Sequence, residues 1–169
     1  MEKETEIARL AGELENVVEQ TIAAWQLQNR KVNGLWNKLS PEEILTPLAP
    51  GRNRAIYLLG HVIAFNDMMF PKLGFGERLH PELDHMFVGC SDGCANSYPA
   101  ATSLKAYWYE VNEKLASNMH SLPPSQWLTQ VATVEKPVFE RNPLYNKLSI
   151  VIGQTVHLSY HIGQLNLLF

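Results

Sequence analysis

The chain has 169 residues, 46% of them apolar and 18% charged, with a net charge of −3. That is the make-up of a single folded domain spanning 1–169, not of a disordered chain. No stretch gathers Lys and Arg, which argues against nucleic acid as a partner, and the start, Met1-Glu2-Lys3-Glu4, is not a basic leader, so the cytoplasm is the expected compartment.

Glu4 to about Lys31 reads as a long amphipathic helix. Ile7, Leu10, Leu14, Val17, Val18, Thr21 and Trp25 form one stripe, and Gly34 is expected to mark the end. Ser40-Pro41-Glu42-Glu43 is a helix-start signal for a short helix to about Leu48, and Pro50-Gly51 then breaks the chain. Asn53 is expected to cap a second long helix that runs to about Phe70 and is ended by Pro71. Tyr57, His61, Phe65 and Met68 share one face of it. His61 sits among Leu58, Leu59, Val62 and Ile63, where an imidazole is costly unless its ring nitrogens find partners. Those partners are either a carbonyl or carboxylate, or a metal ion.

The connection from Pro71 to Pro99 is long and rich in Gly, Pro and Asp, as binding loops are. It holds His80, Asp84, His85, Cys90 and Cys94. Cys-Ser-Asp-Gly-Cys lacks zinc-ribbon spacing, so two free loop thiols are expected, with a disulfide or a loop metal site as alternatives. A third long helix is expected over Thr102 to His120, with Leu104, Tyr107, Trp108, Val111 and Leu115 facing inward. Ser125 to Leu128 reads as a single turn. Thr129 to Pro143 reads as irregular with room for a little strand, limited by Pro137 and Pro143.

The last helix is expected from about Leu144. From Leu148 to Phe169 it carries no charge, yet it holds Gln154, His157, His161 and Gln164. These polar groups are too many for a lone lipid-facing span, which points to burial in protein and no membrane. His157 and His161 lie one turn apart, about 40° around the axis, and can reach one ion. The alternative is a pair of satisfied core histidines. The zinc-protease pattern H-E-x-x-H fails, because Leu158 follows His157.

Two motifs carry a family resemblance: Leu58-Leu59-Gly60-His61-Val62 in the second long helix, and His157-Leu158-Ser159-Tyr160-His161-Ile162-Gly163-Gln164-Leu165 in the last. The second matches the closing pattern H-x-x-Y-H-x-G-Q-L, and the chain resembles the DinB-like superfamily. The resemblance implies an all-α four-helix bundle, up-down-down-up, with a long crossover between helices two and three. It implies one divalent metal ion held by His61, His157 and His161; three neutral imidazoles suit Zn²⁺ or Ni²⁺ foremost, with Fe²⁺ and Mn²⁺ as alternatives. The resemblance also implies thiol-dependent S-transferase or isomerase chemistry on a small molecule, with a low-molecular-weight thiol as a candidate cofactor. An ion with an open position also supports hydrolysis through bound water, and a bundle of this size has homodimer formation as an option. The rival expectation is a non-catalytic metal-binding stress-response or association bundle. Tyr57, Gln154 and Gln164 are candidates for orienting the histidines. No catalytic acid or base is identified; Asp67 is expected to point away from the centre.

Overall fold

The computed structural model describes residues 1–95 and 97–169; Asn96, within the expected connection, lies outside the described residues. Among the described residues the chain is all-α, with helices and no strand. The elements are α1 (Glu2–Lys38), α2 (Ala55–Asp67), α3 (Met69–Leu73), α4 (Asp84–Phe87), α5 (Ala101–Ser121), α6 (Lys136–Arg141) and α7 (Lys147–Leu165). Among those residues no helix is long and apolar enough to cross a membrane.

The four long helices bury a shared core. Trp25 of α1, Leu58, Leu59 and Ile63 of α2, Trp108 of α5 and Leu158 and Leu165 of α7 are all essentially inaccessible to solvent. Burying each such side chain contributes about 1.5–3 kcal/mol. Along α1, Gln26, Asn33 and Asn37 bond His120, Trp108 and Lys105 of α5. Asn66 and His61 of α2 meet Gln154 and His157 of α7. Lys38 of α1 stands over the ring of Phe169, just past α7.

Several boundaries depart from the sequence expectations for identifiable reasons. α1 runs through Gly34, because a few more residues bury Leu35 and Trp36 in the core; it ends where Leu39 turns extended. The second long helix does not run unbroken to Phe70. It stops at Asp67, and α3 carries Pro71 in its interior. Pro71 has no N–H to donate to the carbonyl of residue 67, so the break falls where that bond would have been. Gly74 then closes α3 at φ 79°.

Asn53 does not cap α2. Arg54 takes the cap position, and its N–H bonds the Asp92 carboxylate at 2.6 Å. In place of strand, 129–143 holds α6, with Pro137 in its first turn, where a missing N–H costs nothing. α7 starts at Lys147, with Asn146 accepting from the Ser149 N–H at 2.9 Å. The 71–99 connection is not structureless: a helical turn (Pro81–Leu83) and α4 lay it against α2, and Phe87 is fully buried.

Candidate metal centre

His61 from α2 and His157 and His161 from α7 converge on one point. One ring nitrogen from each lies within 4.8 Å of the other two. His157 Nε2 is 3.2 Å from His61 Nε2 and 2.9 Å from His161 Nε2. Two nitrogens bound to one tetrahedral zinc, each at about 2.0–2.1 Å, lie about 3.4 Å apart. The spacing of the rings is therefore that of a ligand set.

Hydrogen bonding fixes which nitrogens face inward. His61 Nδ1 donates to the Phe87 carbonyl at 2.6 Å, and His161 Nδ1 donates to Gln164 Oε1 at 2.7 Å. A neutral imidazole protonated at Nδ1 carries a lone pair at Nε2. Two lone pairs thus point at His157. Its Nε2 has at most one proton to give, and its Nδ1 is buried without a partner. Either tautomer leaves buried ring nitrogens unpaired, which is costly in a site that holds no cation. The donor set fits a divalent ion that prefers imidazole, such as zinc or nickel.

The electrostatics agree. Burial lowers the pKa of His61 against the opposing pull of the Phe87 carbonyl. Burial lowers His161 as well, against its bond to Gln164 and with help from the neighbouring His61. His157 is pushed down to about 4 by burial and by the two neighbouring imidazoles. All three rings are neutral at pH 7, the form in which imidazole binds metal.

The surroundings are aromatic. Phe65 lies 4.5 Å from both His61 and His157, centroid to centroid, and Tyr57 stacks along His61 at 6.1 Å. Of the three candidate orienting residues, Gln164 bonds His161 and also donates to the Tyr160 hydroxyl. The Tyr57 hydroxyl bonds the Cys90 carbonyl at 2.7 Å, not a ring nitrogen. Gln154 turns away to Asn66. The Phe87 carbonyl was beyond sequence reasoning, since every residue carries one. The signal that could have led to it is Gly60: a Cβ there would overlap the Phe87 ring, so only glycine lets α4 settle on α2 beside His61.

Among the described residues of the connection, no second metal site is found. His80 bonds Glu110 and Glu82, Asp84 pairs with Arg78, and His85 bonds the Glu82 carbonyl. Asp67 is buried and accepts from Arg78 and from the N–H groups of Leu79 and His80, away from the three histidines. The expectation of free thiols is corrected: Cys90 and Cys94 form a disulfide. The turn at Asp92-Gly93, with Gly93 at φ 88°, brings the two cysteines together.

Two cavities of the fold are not lined by any of the three histidines. One, of about 430 Å³, includes Arg52, Leu58, Tyr160 and Gln164; the other, of about 420 Å³, includes Ile44, Arg54, Ile56 and Tyr98.

The family model of the DinB superfamily matches residues 24–165. No curated protein is matched by this chain. The match covers most of the chain and all three histidines, and the chain belongs to the DinB superfamily.

Proposed function

We propose that the chain is a single four-helix-bundle domain that binds one divalent metal ion through Nε2 of His61, His157 and His161. We further propose that it acts on a small molecule as a metal-dependent enzyme of the thiol S-transferase or hydrolase type. The observation that carries the reading is the inward convergence of three neutral imidazoles whose outward Nδ1 atoms, on His61 and His161, are already committed to Phe87 and Gln164. An ion so held supplies Lewis acidity, which favours deprotonation of a nucleophile or polarises the bond it attacks. The chain's own part is to keep the rings neutral, fix their direction and limit water through Phe65, Tyr57 and Phe87.

The contacts of the long helices support an up-down-down-up order. Residues rising along α1 meet residues falling along α5. Residues rising along α2 meet residues falling along α7. The partners of α1 in α7 rise together, from 17–24 against 152–156 to 31–38 against 162–166.

A non-catalytic metal-binding bundle is favoured by one observation. No carboxylate joins the histidine cluster among the described residues, so no general base is at hand. Elemental analysis of untagged protein, wild type beside His157→Ala, tests the metal reading. One zinc or nickel per wild-type chain and none in the variant is expected. No metal in either after incubation with Zn²⁺ and Ni²⁺ overturns it.

A further inference from the structure

The segment from Phe87 to Cys94 touches the histidine centre and is closed on itself by a covalent bond that the proposed function does not use. Three contacts tie it down. The Phe87 carbonyl accepts from His61 Nδ1, and the Cys90 carbonyl accepts from the Tyr57 hydroxyl beside His61. Asp92 accepts from the Arg54 backbone N–H at 2.6 Å, pairs with its guanidinium and accepts from the Tyr98 hydroxyl. The Cys90–Cys94 disulfide closes a five-residue ring that starts at the second contact and encloses the third. Its two ends differ in access: Cys94 is exposed, whereas Cys90 is half-buried above Tyr57.

We propose that the Cys90–Cys94 disulfide is an exchange site for a low-molecular-weight thiol, attacked at Cys94, and that opening it loosens the hold of the Phe87 carbonyl on His61. Exchange requires access of a thiolate to one sulfur, and Cys94, the exposed end of the bond, is the more open of the two. The incoming thiolate forms a bond to Cys94 Sγ. The Sγ–Sγ bond breaks, and Cys90 departs as a thiolate that takes a proton from solvent. A second thiolate then attacks the small-molecule sulfur of the mixed disulfide and releases Cys94. In sum, two small thiols are oxidised to their disulfide and the protein disulfide is reduced to two thiols.

Such a bond also fits a reducing compartment, where protein disulfides are mostly transient and redox-sensing. The consequence for the centre follows from position. With the ring open, the backbone from Cys90 to Asp92 loses its covalent tie and is held by its hydrogen bonds and by the buried Phe87 ring before it, so the contact that sets the tautomer and direction of His61 is less firmly fixed. Partners of this kind alter metal affinity by about 10–100-fold when removed. This second half rests on the metal reading of the three histidines; the exchange chemistry does not.

The test uses the full chain and glutathione. Wild-type protein is treated with reduced glutathione, quenched by alkylation and mapped by mass spectrometry. Cys90→Ser and Cys94→Ser are treated with oxidised glutathione. The expected result is a glutathionyl adduct on Cys94 in the wild type and in Cys90→Ser, and at least tenfold slower adduct formation in Cys94→Ser. Adduct mainly on Cys90, or a disulfide that reacts only after denaturation, overturns the exchange site.

Zn²⁺ affinity is then measured for oxidised and reduced protein and for the double serine variant. About tenfold weaker binding is expected on reduction, with the double variant insensitive to redox state and like the reduced form. Equal affinities with all thiols reduced overturn the coupling. If neither form binds Zn²⁺, the metal reading itself has failed. Exchange of the His61 Nδ1 proton, followed by NMR, then decides the coupling: faster exchange on reduction supports it, and an unchanged rate overturns it.

Discussion

Two polar clusters meet α2 and α7 little more than a turn apart, and they are built in opposite ways. In the first, Gln154 donates to Asn66 Oδ1 at 2.8 Å, Asn66 to Asn112 Oδ1 at 2.6 Å, Asn112 to the Trp108 carbonyl at 2.7 Å, and Trp108 Nε1 to Asn33 Oδ1 at 2.6 Å. Each bond pairs a donor with an acceptor, and the run links α7, α2, α5 and α1 through the middle of the core. In the second, three imidazoles face one another with lone pairs on at least two sides and one buried ring nitrogen left alone. The first cluster is complete within the chain. The second is not complete within the chain, and under the proposed reading a cation would complete it. Burial and polarity are common to both, so neither separates a structural network from a binding site; the match of donors to acceptors does.

The largest effects should break the two clusters apart. His61→Ala is expected to take metal content from one ion per chain to none while the variant stays folded by circular dichroism. Retention of a full equivalent would move the site elsewhere. Asn66→Ala should do the reverse. It leaves the buried Gln154 amide N–H and the buried Asn112 Oδ1 without partners, and a buried group left unpaired costs about 1–3 kcal/mol, so a loss of about 3 kcal/mol in urea unfolding is expected with metal content unchanged. An Asn66→Ala variant of wild-type stability would mean that water already completes that network.

A smaller effect is expected at Gly60. An added methyl group must displace the Phe87 ring, and forcing extra volume into a packed core costs about 1–3 kcal/mol. The displaced ring carries the Phe87 carbonyl with it, so Gly60→Ala should also weaken metal binding by about tenfold, whereas Ala at Gly153, where nothing crowds the position, should do neither. Equal metal affinity in Gly60→Ala and wild type, measured by competition with a chromogenic chelator, would show that the carbonyl does not tune the centre.

The sequence was legible where chemistry follows local spacing. His157 and His161 are one turn apart on any helix, Gln164 follows His161 at the spacing that lets them bond, and the apolar stripes of α1, α2, α5 and α7 repeat at helical period. It was not legible where a contact joins distant positions through groups without identity. A main-chain carbonyl at Phe87, a carboxylate at Asp92 that caps a helix it follows by many residues, and a disulfide across a turn leave no periodic trace. Proline was legible as a breaker but not in where its effect falls. Pro71 does break the long helix, but at Asp67, whose carbonyl its missing N–H would have met, and a short helix resumes around it. Pro137 was read as limiting a strand, yet it sits in the first turn of a helix, where the missing N–H had no partner to lose.

Acidity offers the finest separation of the two clusters, because only one of them titrates. The amides of Asn33, Asn66, Asn112 and Gln154 take up no proton in the accessible range, so the cost of Asn66→Ala should be the same at pH 7 and pH 5.5. The histidines differ. In the metal-free protein burial holds their folded pKa values below 6.5, to about 4 for His157. The unfolded chain therefore binds protons first as pH falls. Stability is full above pH 6.5 and is lost progressively from there down toward the folded values. For His157 the loss between pH 7 and pH 5.5 should be about 1 kcal/mol, since one pKa unit corresponds to about 1.4 kcal/mol. Replacing His157 with Ala should flatten that part of the profile, and the wild-type and variant unfolding curves, taken in chelator across this window, should draw together as the solution becomes more acidic. Parallel curves would mean that His157 keeps an ordinary pKa in the fold, and that the crowding of the three rings is relieved by something other than a metal ion.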